Sequence, residues 1–336
     1  MKGSRITAIG TYVPEKRITN YDLEQMVDTS DEWIVQRTGI RERRVSRPDE
    51  FTSDLCAAAV KDLMRRYDKK MDDVDMVIVA TGTPDFSFPS VACLLQHQLG
   101  ISSDAGCIDL SAACAGFVYA VNTASALVAS GVHRKILVVG ADALSKATDY
   151  TDRTTCILFG DGAGAVMVES DDSSLGVLAS SYSSDGGGAQ HVYRTGLRNE
   201  VNGVPLVGTQ KIVQNGREVF RWAVRNVPEG VRRLLTNAEM SMDAVDWFVP
   251  HSANLRMIEP IAEKLGLSME KVLYSLEYYG NTSAASIPLA LDLGIRQGRV
   301  RNGQTVLLYG FGSGLTQAAA LFTLQLDGSV AEDIIG

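Results

Sequence analysis

The sequence is poor in the residues from which metal sites and disulfide frameworks are built. It holds 5 cysteines and 4 histidines in 336 residues. The cysteines are odd in number and include no Cys-x-x-Cys pair, and no two histidines stand at metal-ligand spacing. These absences argue against a zinc centre and against a fold stapled by disulfides. We therefore predict a protein without a metal site and without a disulfide framework.

Long apolar runs and an excess of positive charge are also missing. The first 20 residues mix charged side chains with short apolar stretches, so they lack the apolar segment of a signal peptide. No later run approaches the roughly 18 apolar residues of a membrane span. The net charge of −8 disfavours nucleic acid as a partner. These features predict a soluble, cytoplasmic protein that binds neither membrane nor nucleic acid, and an acidic partner would need a local basic patch.

What the sequence does contain is one pattern used twice. Met-Asp-x-Val-Asp followed by an apolar run occurs at residues 71–80 and again at 242–249. Further along each copy, a Leu-Gly pair ends a helix-like segment, at residues 98–102 and 264–268. Strands that alternate with helices predict parallel sheets covered by helices on both faces. Two such halves stacked together predict an α/β fold of five layers, α-β-α-β-α.

The repeat also predicts how the chain divides. A helix rich in small residues and a following strand occur at residues 113–140 and again at 283–310. We place the boundary where Asp-Asp-Ser-Ser interrupts the pattern, which makes residues 1–172 one half and residues 173–336 the other. Residues 183–208 contain Asp-Gly-Gly-Gly and little periodicity, so we predict a long surface loop there.

Cys114 is the cysteine whose surroundings favour reactivity. It stands in Ser-Ala-Ala-Cys-Ala-Gly, where a predicted strand gives way to a helix. Unpaired N–H groups and the dipole at a helix N-terminus stabilise a thiolate, which predicts a lowered thiol pKa. Its small neighbours leave room for a substrate, whereas the other four cysteines fit inert core positions. Cys114 is therefore the predicted nucleophile.

Two polar turns in the second half are candidates for the same site. His251 follows an apolar strand in Pro-His-Ser-Ala-Asn, and Asn281 lies in Gly-Asn-Thr-Ser before a helix. Alone, His251 fits a hydrogen-bonded structural residue and Asn281 fits a helix N-cap. Turns at the carboxyl ends of strands in repeated units converge on one site, so we expect these residues to meet Cys114.

Six segments, in order and spacing, resemble the motifs of one family. They are residues 29–40, 111–116, 151–164, 250–256, 280–283 and 310–314. They are similar to those of β-ketoacyl-[acyl-carrier-protein] synthase III, a condensing enzyme of the thiolase superfamily. The resemblance covers nearly the whole chain and implies a thiolase-like fold. It also implies an acyltransferase that initiates type II fatty acid synthesis, joining a short acyl group from acyl-coenzyme A to malonyl-acyl-carrier protein with loss of carbon dioxide.

The resemblance assigns a role to each catalytic residue. Cys114 stores the acyl group as a thioester, and this divides the condensation into two easier steps. His251 and Asn281 donate hydrogen bonds to the enolate oxygen that forms when the malonyl thioester loses carbon dioxide. The backbone N–H groups of Cys114 and Ser313 form a second oxyanion hole for the thioester carbonyl. No cofactor is implied, because acyl-coenzyme A is a substrate.

The resemblance also implies where coenzyme A binds. Its adenine would stack against Trp33 and Arg153, an arrangement that suits a planar ring beside phosphates. The pantetheine and phosphate path would be lined by Arg37, Thr38, Phe220, Asn254 and Arg256.

Two protein partners follow from the same resemblance. Phe88 is similar to the aromatic residue that closes the primer pocket across a dimer interface, so a homodimer is expected. Acyl-carrier protein is acidic, and we expect it to dock on a basic patch formed by Arg221, Arg256 and Lys264.

Three positions depart from the commonest family wording. Ser252 stands where the family usually has Gln. In the glycine-rich segment at 310–314, Ser313 stands where a further Gly is usual, and Leu315 after it stands where an aromatic residue is usual. These residues flank the catalytic atoms, so the departures bear on primer size and rate more than on the type of reaction. The preferred primer stays open, because acyl groups that differ by a methylene differ by only about 1 to 3 kcal/mol in an apolar pocket.

Rival functions share part of this pattern. A papain-like protease also places Cys, His and Asn in this order, but its Cys-Gly-Ser-Cys-Trp type of signature is missing. A degradative thiolase needs a second catalytic cysteine late in the chain, and none follows Cys156. Chain-elongating synthases have a second histidine at the position of Asn281. A non-catalytic acyl-binding protein would not need all three catalytic residues.

Overall fold

The computed structural model describes residues 3–171 and 176–328. The α-helices in these ranges are α1 (Asn20–Glu24), α2 (Asp31–Thr38), α3 (Thr52–Tyr67), α4 (Val91–Gln98), α5 (Gly116–Ala129), α6 (Gly216–Asn237), α7 (Leu255–Leu265), α8 (Leu276–Tyr279) and α9 (Ser286–Arg296). None of these helices is long and apolar enough to cross a lipid bilayer.

The strands fall into two main sheets and three short ribbons. They are β1 (Gly3–Tyr12), β2 (Arg17–Thr19), β3 (Glu42–Arg44), β4 (Met76–Ala80), β5 (Gly106–Leu110), β6 (Lys135–Ala143), β7 (Asp161–Asp171), β8 (Val177–Ser184), β9 (Val192–Arg194), β10 (Glu200–Val201), β11 (Val204–Pro205), β12 (Ile212–Gln214), β13 (Trp247–Pro250), β14 (Thr305–Gly312) and β15 (Thr316–Thr323). The first sheet has the order β1-β7-β6-β4-β5 and the second β13-β14-β15-β8.

The two sheets have the same plan. In the first, β4 pairs in parallel with β5 and β6, and β6 pairs antiparallel with β7. In the second, β13 pairs in parallel with β14, and β14 pairs antiparallel with β15. Where the first sheet has β5, the second has a single parallel bridge between Phe248 and Val272. The second sheet is therefore the first with its fifth strand reduced to one residue pair.

Helices and sheets alternate in five layers. Helices α3 and α4 cover the outer face of the first sheet, α5 and α9 lie between the sheets, and α6 and α7 cover the second. Every residue of β6 is buried, as a strand covered on both faces requires. Helix α5 is apolar around most of its circumference because both sheets contact it. The predicted α-β-α-β-α fold is thus confirmed.

Two matching turns lead into the central helices. Ala113 opens a 3-10 turn before α5 with φ of +46°, and Ser283 opens one before α9 with φ of +50°. A non-glycine residue in the left-handed region costs on the order of 1–2 kcal/mol, so the surrounding packing must hold each turn. Cys114 follows one of these residues and Asn281 precedes the other by two positions. The repeat therefore brings the predicted nucleophile Cys114 and the amide of Asn281 to equivalent corners of the fold.

A buried ionic cluster joins the second half to the first. The carboxylate of Asp292 in α9 is fully buried and accepts hydrogen bonds from Arg66 of α3 at 2.7 Å and from Thr11 of β1 at 2.6 Å. Arg296 donates to the same carboxylate at 2.8 Å. The first sheet uses strands from residues 3–171 and the second uses strands from 177–323. The predicted boundary at residues 172 and 173 lies outside the described ranges, and the division into halves stays a prediction.

The prediction of a long surface loop at residues 183–208 is wrong in part. The segment begins inside β8, and β9 then pairs with β12 while β10 pairs with β11. Asp185 and Leu315 exchange backbone hydrogen bonds of 2.7 Å, and the Ser313 hydroxyl donates to the Val192 carbonyl at 2.6 Å. Backbone pairing and these anchors hold the segment, which is why its sequence carries no apolar periodicity.

Candidate active site

A cavity of about 590 Å³ opens beside the turns that precede α5 and α9. It is lined by α2, by the loops after β4, β5 and β6, and by the ribbon of β9 and β12. The starts of α6 and α7, the turns that follow β13 and β14, and the turn before α9 complete the lining. Nine of the residues predicted from the sequence line it, namely Trp33, Arg37, Thr38, Cys114, Phe220, His251, Asn254, Asn281 and Ser313. The three predicted catalytic residues therefore share one cavity.

Cys114 is packed against the backbone of β14. A Cβ added to Gly312 would lie 2.8 Å from the Cys114 Cβ and 3.1 Å from its sulfur, so only glycine fits beside the thiol. Burial raises the pKa of the Cys114 thiol to about 12, and the nearby Asp142 carboxylate adds to this effect. The sequence predicted a lowered thiol pKa from the helix N-terminus, and this prediction is wrong for the free site. Loss of water around the sulfur is the largest cause, and it outweighs the hydrogen bond with Ser283 that lowers the thiol pKa.

His251 is held by the backbone and by one serine. Its backbone N–H donates to the Tyr309 carbonyl at 2.8 Å. Its ring Nδ1 lies 2.7 Å from the hydroxyl oxygen of Ser286. The ring of Phe311 contacts it edge to face, with centroids 5.3 Å apart. Burial lowers the pKa of His251 to about 3, so its imidazole is neutral at physiological pH. A neutral ring can donate one hydrogen bond into the cavity.

The amide of Asn281 is oriented by its neighbours. Its Oδ1 accepts a hydrogen bond from the Ser283 N–H at 2.9 Å, and this leaves the two Nδ2 hydrogens to donate. The Asn281 backbone pairs with Leu158 at 2.8 Å and with Gly160 at 3.0 Å. Asn281 is therefore a fixed donor at the cavity wall.

Arg43 supports the segment before β7 that Asn281 pairs with, and sequence reasoning missed it. Its guanidinium is fully buried and donates to the Ile157 carbonyl at 2.7 Å and to Asn20 at 2.8 Å. Burial lowers the pKa of Arg43 to about 10. Within residues 3–171 and 176–328, no carboxylate forms an ion pair with it. Its place in Glu-Arg-Arg offered no signal, because charged residues in such runs are usually exposed.

Asp142 is a second buried charge that the sequence did not reveal. Its carboxylate accepts hydrogen bonds from the Gly82 N–H at 2.7 Å and from the Ala284 N–H at 3.2 Å. The hydroxyls of Thr81 and Thr83 donate to it at 3.1 and 3.0 Å. Burial raises its pKa even so. Asp142 therefore ties the turn before α9 to the loop after β4.

The glycine-rich turn after β14 carries the predicted second oxyanion hole. Ser313 lines the cavity with Cys114, and its N–H has no acceptor in the described part of the chain. The Ser313 side chain is turned away, toward Val192. The serine that replaces the usual glycine therefore anchors the ribbon and leaves its own N–H available.

The Trp33 ring lies beside two arginines, of which Arg37 lines the cavity and Arg153 does not. Helix α2 begins at Asp31 because Ser30 caps it, its oxygen accepting the Trp33 N–H at 3.2 Å, and it ends at Gly39 with φ of +77°. The guanidinium carbons of Arg37 and Arg153 lie 5.8 and 5.5 Å from the centroid of the Trp33 ring. Both distances are within cation–π range.

The other residues predicted to bind coenzyme A differ in whether their side chains already form hydrogen bonds within the protein. The Thr38 hydroxyl donates to the Ile34 carbonyl at 2.7 Å and accepts from the Ile40 N–H at 3.0 Å, so the helix end already uses it. Asn254 caps α7. Arg256 does not line the cavity, and its Nε donates to the Gln36 carbonyl at 2.7 Å.

Other predicted residues lie outside the cavity. Phe88 is 85% exposed in its own chain. Arg221 lies on α6 and pairs with Glu218 at 2.9 Å, whereas the Lys264 ammonium on α7 donates to the Val224 carbonyl at 3.1 Å. The structure thus distributes the predicted docking residues over the adjoining helices α6 and α7.

Arg194 is a cavity residue that sequence reasoning missed. It lies on β9, opposite Ile212 of β12, and both residues line the cavity. Its side chain forms no ion pair with any residue in 3–171 or 176–328. No signal pointed to it, because the short strands of this ribbon are defined by pairing partners and not by a local pattern.

No group of three or more His, Cys, Asp or Glu residues in the described ranges is arranged to hold a metal ion. The predicted catalytic groups that line the cavity are a thiol, an imidazole, an amide and backbone N–H groups.

Comparisons with known proteins identify the family. The sequence model described as 3-oxoacyl-[acyl-carrier-protein] synthase III matches residues 108–186, and the model of its C-terminal region matches residues 235–324. The chain is 59% identical over 318 residues to β-ketoacyl-[acyl-carrier-protein] synthase III 2 of Halalkalibacterium halodurans, covering 95% of this chain and 96% of that one. It is 57% identical over 321 residues to the protein of that name from Bacillus subtilis, covering 96% and 98%.

A solved structure agrees with the sequence matches. The crystal structure of β-ketoacyl-[acyl-carrier-protein] synthase III from Thermus thermophilus superposes with a TM-score of 0.92 at 46% identity, covering 96% of this chain and 99% of that one. At this identity, similarity of fold and of family go together. The chain belongs to the β-ketoacyl-[acyl-carrier-protein] synthase III family, the thiolase-like condensing enzymes that initiate fatty acid synthesis.

Proposed function

We propose that this chain performs the family's decarboxylative condensation with Cys114 as nucleophile and with His251 and Asn281 as hydrogen-bond donors to the enolate. The observation that carries the assignment is that the three side chains line one cavity, with the Asn281 amide oriented to donate. No other cysteine lines that cavity among the described residues.

In the first step, the Cys114 sulfur attacks the carbonyl of an acyl-coenzyme A. The N–H groups of Cys114 and Ser313 stabilise the tetrahedral oxyanion. When this tetrahedral intermediate collapses, the C–S bond to coenzyme A breaks and the acyl group stays on Cys114. The thiol hydrogen of Cys114 leaves with the coenzyme A sulfur, so the net acyl transfer consumes no proton.

In the second step, a malonyl group on acyl-carrier protein loses carbon dioxide, and its electron pair becomes an enolate. His251 and Asn281 donate to the enolate oxygen. Both groups are neutral, which suits a site that must also admit the malonyl carboxylate, since a carboxylate side chain would repel it. The enolate carbon attacks the acyl thioester, giving the 3-oxoacyl product. The Cys114 sulfur leaves as a thiolate and takes up a proton.

The substrates reach the sulfur through the mouth of the cavity. We assign adenine stacking to Trp33 and Arg153 and the pantetheine path to Arg37, Thr38, Phe220, Asn254 and Arg256. We assign docking of the carrier protein to Arg221, Arg256 and Lys264 on the adjoining α6 and α7. Their positive charge suits an acidic partner of a chain whose net charge is −8.

A homodimer is the proposed assembly, and the cytoplasm the proposed location. Strand β5 is an edge strand, and its Ile108 is 41% exposed, while Phe86 and Phe88 are exposed on the segment before α4. An uncovered edge with apolar side chains is typical of a strand that pairs with another chain. Phe88 would then reach the partner's primer pocket. Residues 1–172 and 173–336 are proposed as the two thiolase-like halves of each chain.

Separate measurement of the two steps tests the roles of the catalytic residues. Cys114→Ala should abolish acyl-enzyme formation and condensation but retain some decarboxylation of malonyl-acyl-carrier protein. Asn281→Ala should still form the acyl-enzyme, while carbon dioxide release falls by roughly 10² to 10³, the usual effect of losing one oxyanion donor. Mass spectrometry of the acyl-enzyme and release of labelled carbon dioxide measure the two steps.

Asn226→Ala is the matched control, because its amide donates to the Trp222 carbonyl within α6. It should leave both steps unchanged. An Asn281→Ala enzyme that is folded and cannot be acylated, yet releases carbon dioxide at the normal rate, would refute the assignment of Asn281 to the enolate.

A further inference from the structure

Ser286 occupies an unusual place relative to the catalytic histidine. It is the first residue of α9, it is fully buried, and its hydroxyl oxygen lies 2.7 Å from His251 Nδ1. The same oxygen accepts a hydrogen bond from the Ser252 N–H at 3.2 Å. Ser286 touches the side of His251 that faces away from the cavity, and we assign it no contact with substrate.

The hydrogen-bond inventory of this serine leaves one arrangement. A hydroxyl has one hydrogen to donate and lone pairs with which to accept. The Ser252 N–H is a donor, so it uses a lone pair of Ser286. Among the described residues, His251 Nδ1 is the one remaining partner of the hydroxyl once the Ser252 N–H is counted. The Ser286 hydrogen must therefore point at Nδ1, because a buried hydroxyl hydrogen without an acceptor is costly.

We propose that Ser286 is a positioning residue that donates to His251 Nδ1, and thereby fixes the imidazole as the tautomer with its hydrogen on Nε2. This inference rests on the proposed role of His251 in the decarboxylation. In this tautomer, His251 presents a hydrogen-bond donor to the enolate oxygen. The opposite tautomer would present a lone pair to the enolate and repel it.

The proposal also limits what His251 does in the first step. With its hydrogen on Nε2 and Nδ1 occupied by Ser286, the ring has no free lone pair with which to accept the Cys114 proton. Acyl transfer stays balanced, because the thiol hydrogen leaves on the coenzyme A sulfur. The Ser286 contact therefore separates the two steps: it affects decarboxylation and leaves acylation nearly unchanged.

The local packing holds the ring in this orientation. The Phe311 ring contacts the imidazole edge to face, and the backbone N–H of His251 donates to the Tyr309 carbonyl. The Ser252 hydroxyl accepts from the Ser275 N–H at 3.0 Å, so the serine in place of the usual glutamine fastens the turn that carries His251. Each neighbour restrains the ring, but only Ser286 has a hydrogen that selects the tautomer.

Histidine-labelled ¹⁵N NMR of the intact enzyme tests the tautomer directly. The His251 signals are identified by comparison with His251→Ala. We expect a proton-bearing Nε2 and a proton-free Nδ1 in the wild type. A wild-type spectrum with the hydrogen on Nδ1 would overturn the proposal without any reference to activity.

Two variants of Ser286 then test the consequence for the reaction. Ser286→Ala should lose the single Nε2–H form and show a fall in decarboxylation of roughly 10- to 100-fold, the scale of a small misplacement of a catalytic group. Its acyl-enzyme formation should change little. Ser286→Thr keeps the hydroxyl and should recover the Nε2–H spectrum and most of the decarboxylation.

Ser275→Ala is the control, because the Ser275 hydroxyl donates to the Ser286 carbonyl at 3.1 Å and does not touch His251. It should keep the wild-type spectrum and rates. An equal loss of decarboxylation in Ser275→Ala and Ser286→Ala would mean a packing role and overturn the proposal, as would a Ser286→Ala enzyme with the wild-type spectrum and rates. If the wild type shows Nε2–H but neither forms an acyl-enzyme nor releases carbon dioxide, the tautomer inference stands and the proposed function fails.

Discussion

At the scale of single residues, burial decides the chemistry of the site more than sequence context does. Cys114 follows a strand and precedes a helix, as its motif predicts, yet burial raises the pKa of its thiol. His251 is neutral for the same reason, since desolvation disfavours any charged form. The three predicted catalytic side chains are therefore uncharged in the free enzyme, and charge arises among them only when substrate brings a carboxylate or an enolate.

This state of Cys114 predicts the pH dependence of its alkylation. Only the thiolate reacts, and the thiol pKa of Cys114 is raised to about 12. In the free enzyme, labelling of Cys114 by iodoacetamide should therefore rise about tenfold per pH unit and should not level off below about pH 10, as expected for a raised pKa. Peptide mapping separates Cys114 from Cys93, which is exposed.

The sequence context alone predicts the opposite profile. If the helix N-terminus dominated, the thiol pKa would lie below its ordinary value and the labelling rate would reach a plateau near or below neutral pH. A plateau near pH 7 would therefore contradict the burial argument. A control with Cys114→Ala accounts for labelling of the other cysteines.

At the scale of elements, the central helices carry both the active-site turns and the contacts that join the halves. Helix α9 begins at Ser286 beside His251 and, further along, places Asp292 in the ionic cluster with Arg66 and Arg296. A shift of α9 would therefore move the Asn281 turn and the cluster together. The predicted nucleophile Cys114 lies in the turn before α5, and the predicted enolate donors His251 and Asn281 lie after β13 and before α9.

Removal of the Asp292 charge should destabilise the fold. Asp292→Asn keeps the shape but leaves Arg66 buried with a weaker partner, Asp62 at 3.4 Å. Breaking a buried ion pair by neutralising one side costs about 3 kcal/mol or more. Denaturant titration should show this loss in the free energy of unfolding.

Glu277→Gln provides the comparison, because Glu277 pairs with Arg41 at 3.0 Å on the surface. An exposed pair contributes less than about 1 kcal/mol. If the two variants lost similar amounts of stability, the cluster at Asp292 would not be the link between the halves that its burial indicates.

At the scale of the whole molecule, the two sheets end differently. The second sheet ends beyond β13 in the single bridge at Val272, whereas the first ends in the complete strand β5. Strand β5 presents one unpaired edge and exposes Ile108. This difference leaves a full strand with an unpaired edge at the end of the first sheet, which is the edge that the proposed dimer uses.

Ile108→Arg should therefore weaken the proposed dimer. A charge on an edge strand opposes pairing between strands, because the interface would have to bury it. Light scattering coupled to size exclusion should give a dimer for the wild type and a larger monomer fraction for the variant at equal concentration. Val132→Arg, at another exposed apolar position, should remain dimeric. A wild type that is monomeric throughout would refute the homodimer.

The sequence by itself determined the fold class and the family. The doubled pattern of strands and helices predicted five layers because side-chain periodicity and strand length reflect burial on one face or two. Cys114, His251 and Asn281 were found because each stands at a strand-to-helix turn with a recognisable motif. These signals are local, so they can be detected in a sequence.

Only the tertiary structure decided the electrostatics and the supporting contacts. The raised pKa of the Cys114 thiol, the burial of Arg43 and the contact of Asp142 with Ala284 depend on groups distant in the chain. Ser286 lies 35 residues from His251, and Arg194 enters the cavity through the pairing of β9 with β12. Desolvation and long-range hydrogen bonds are set by what packs around a group, and no local stretch of sequence encodes that.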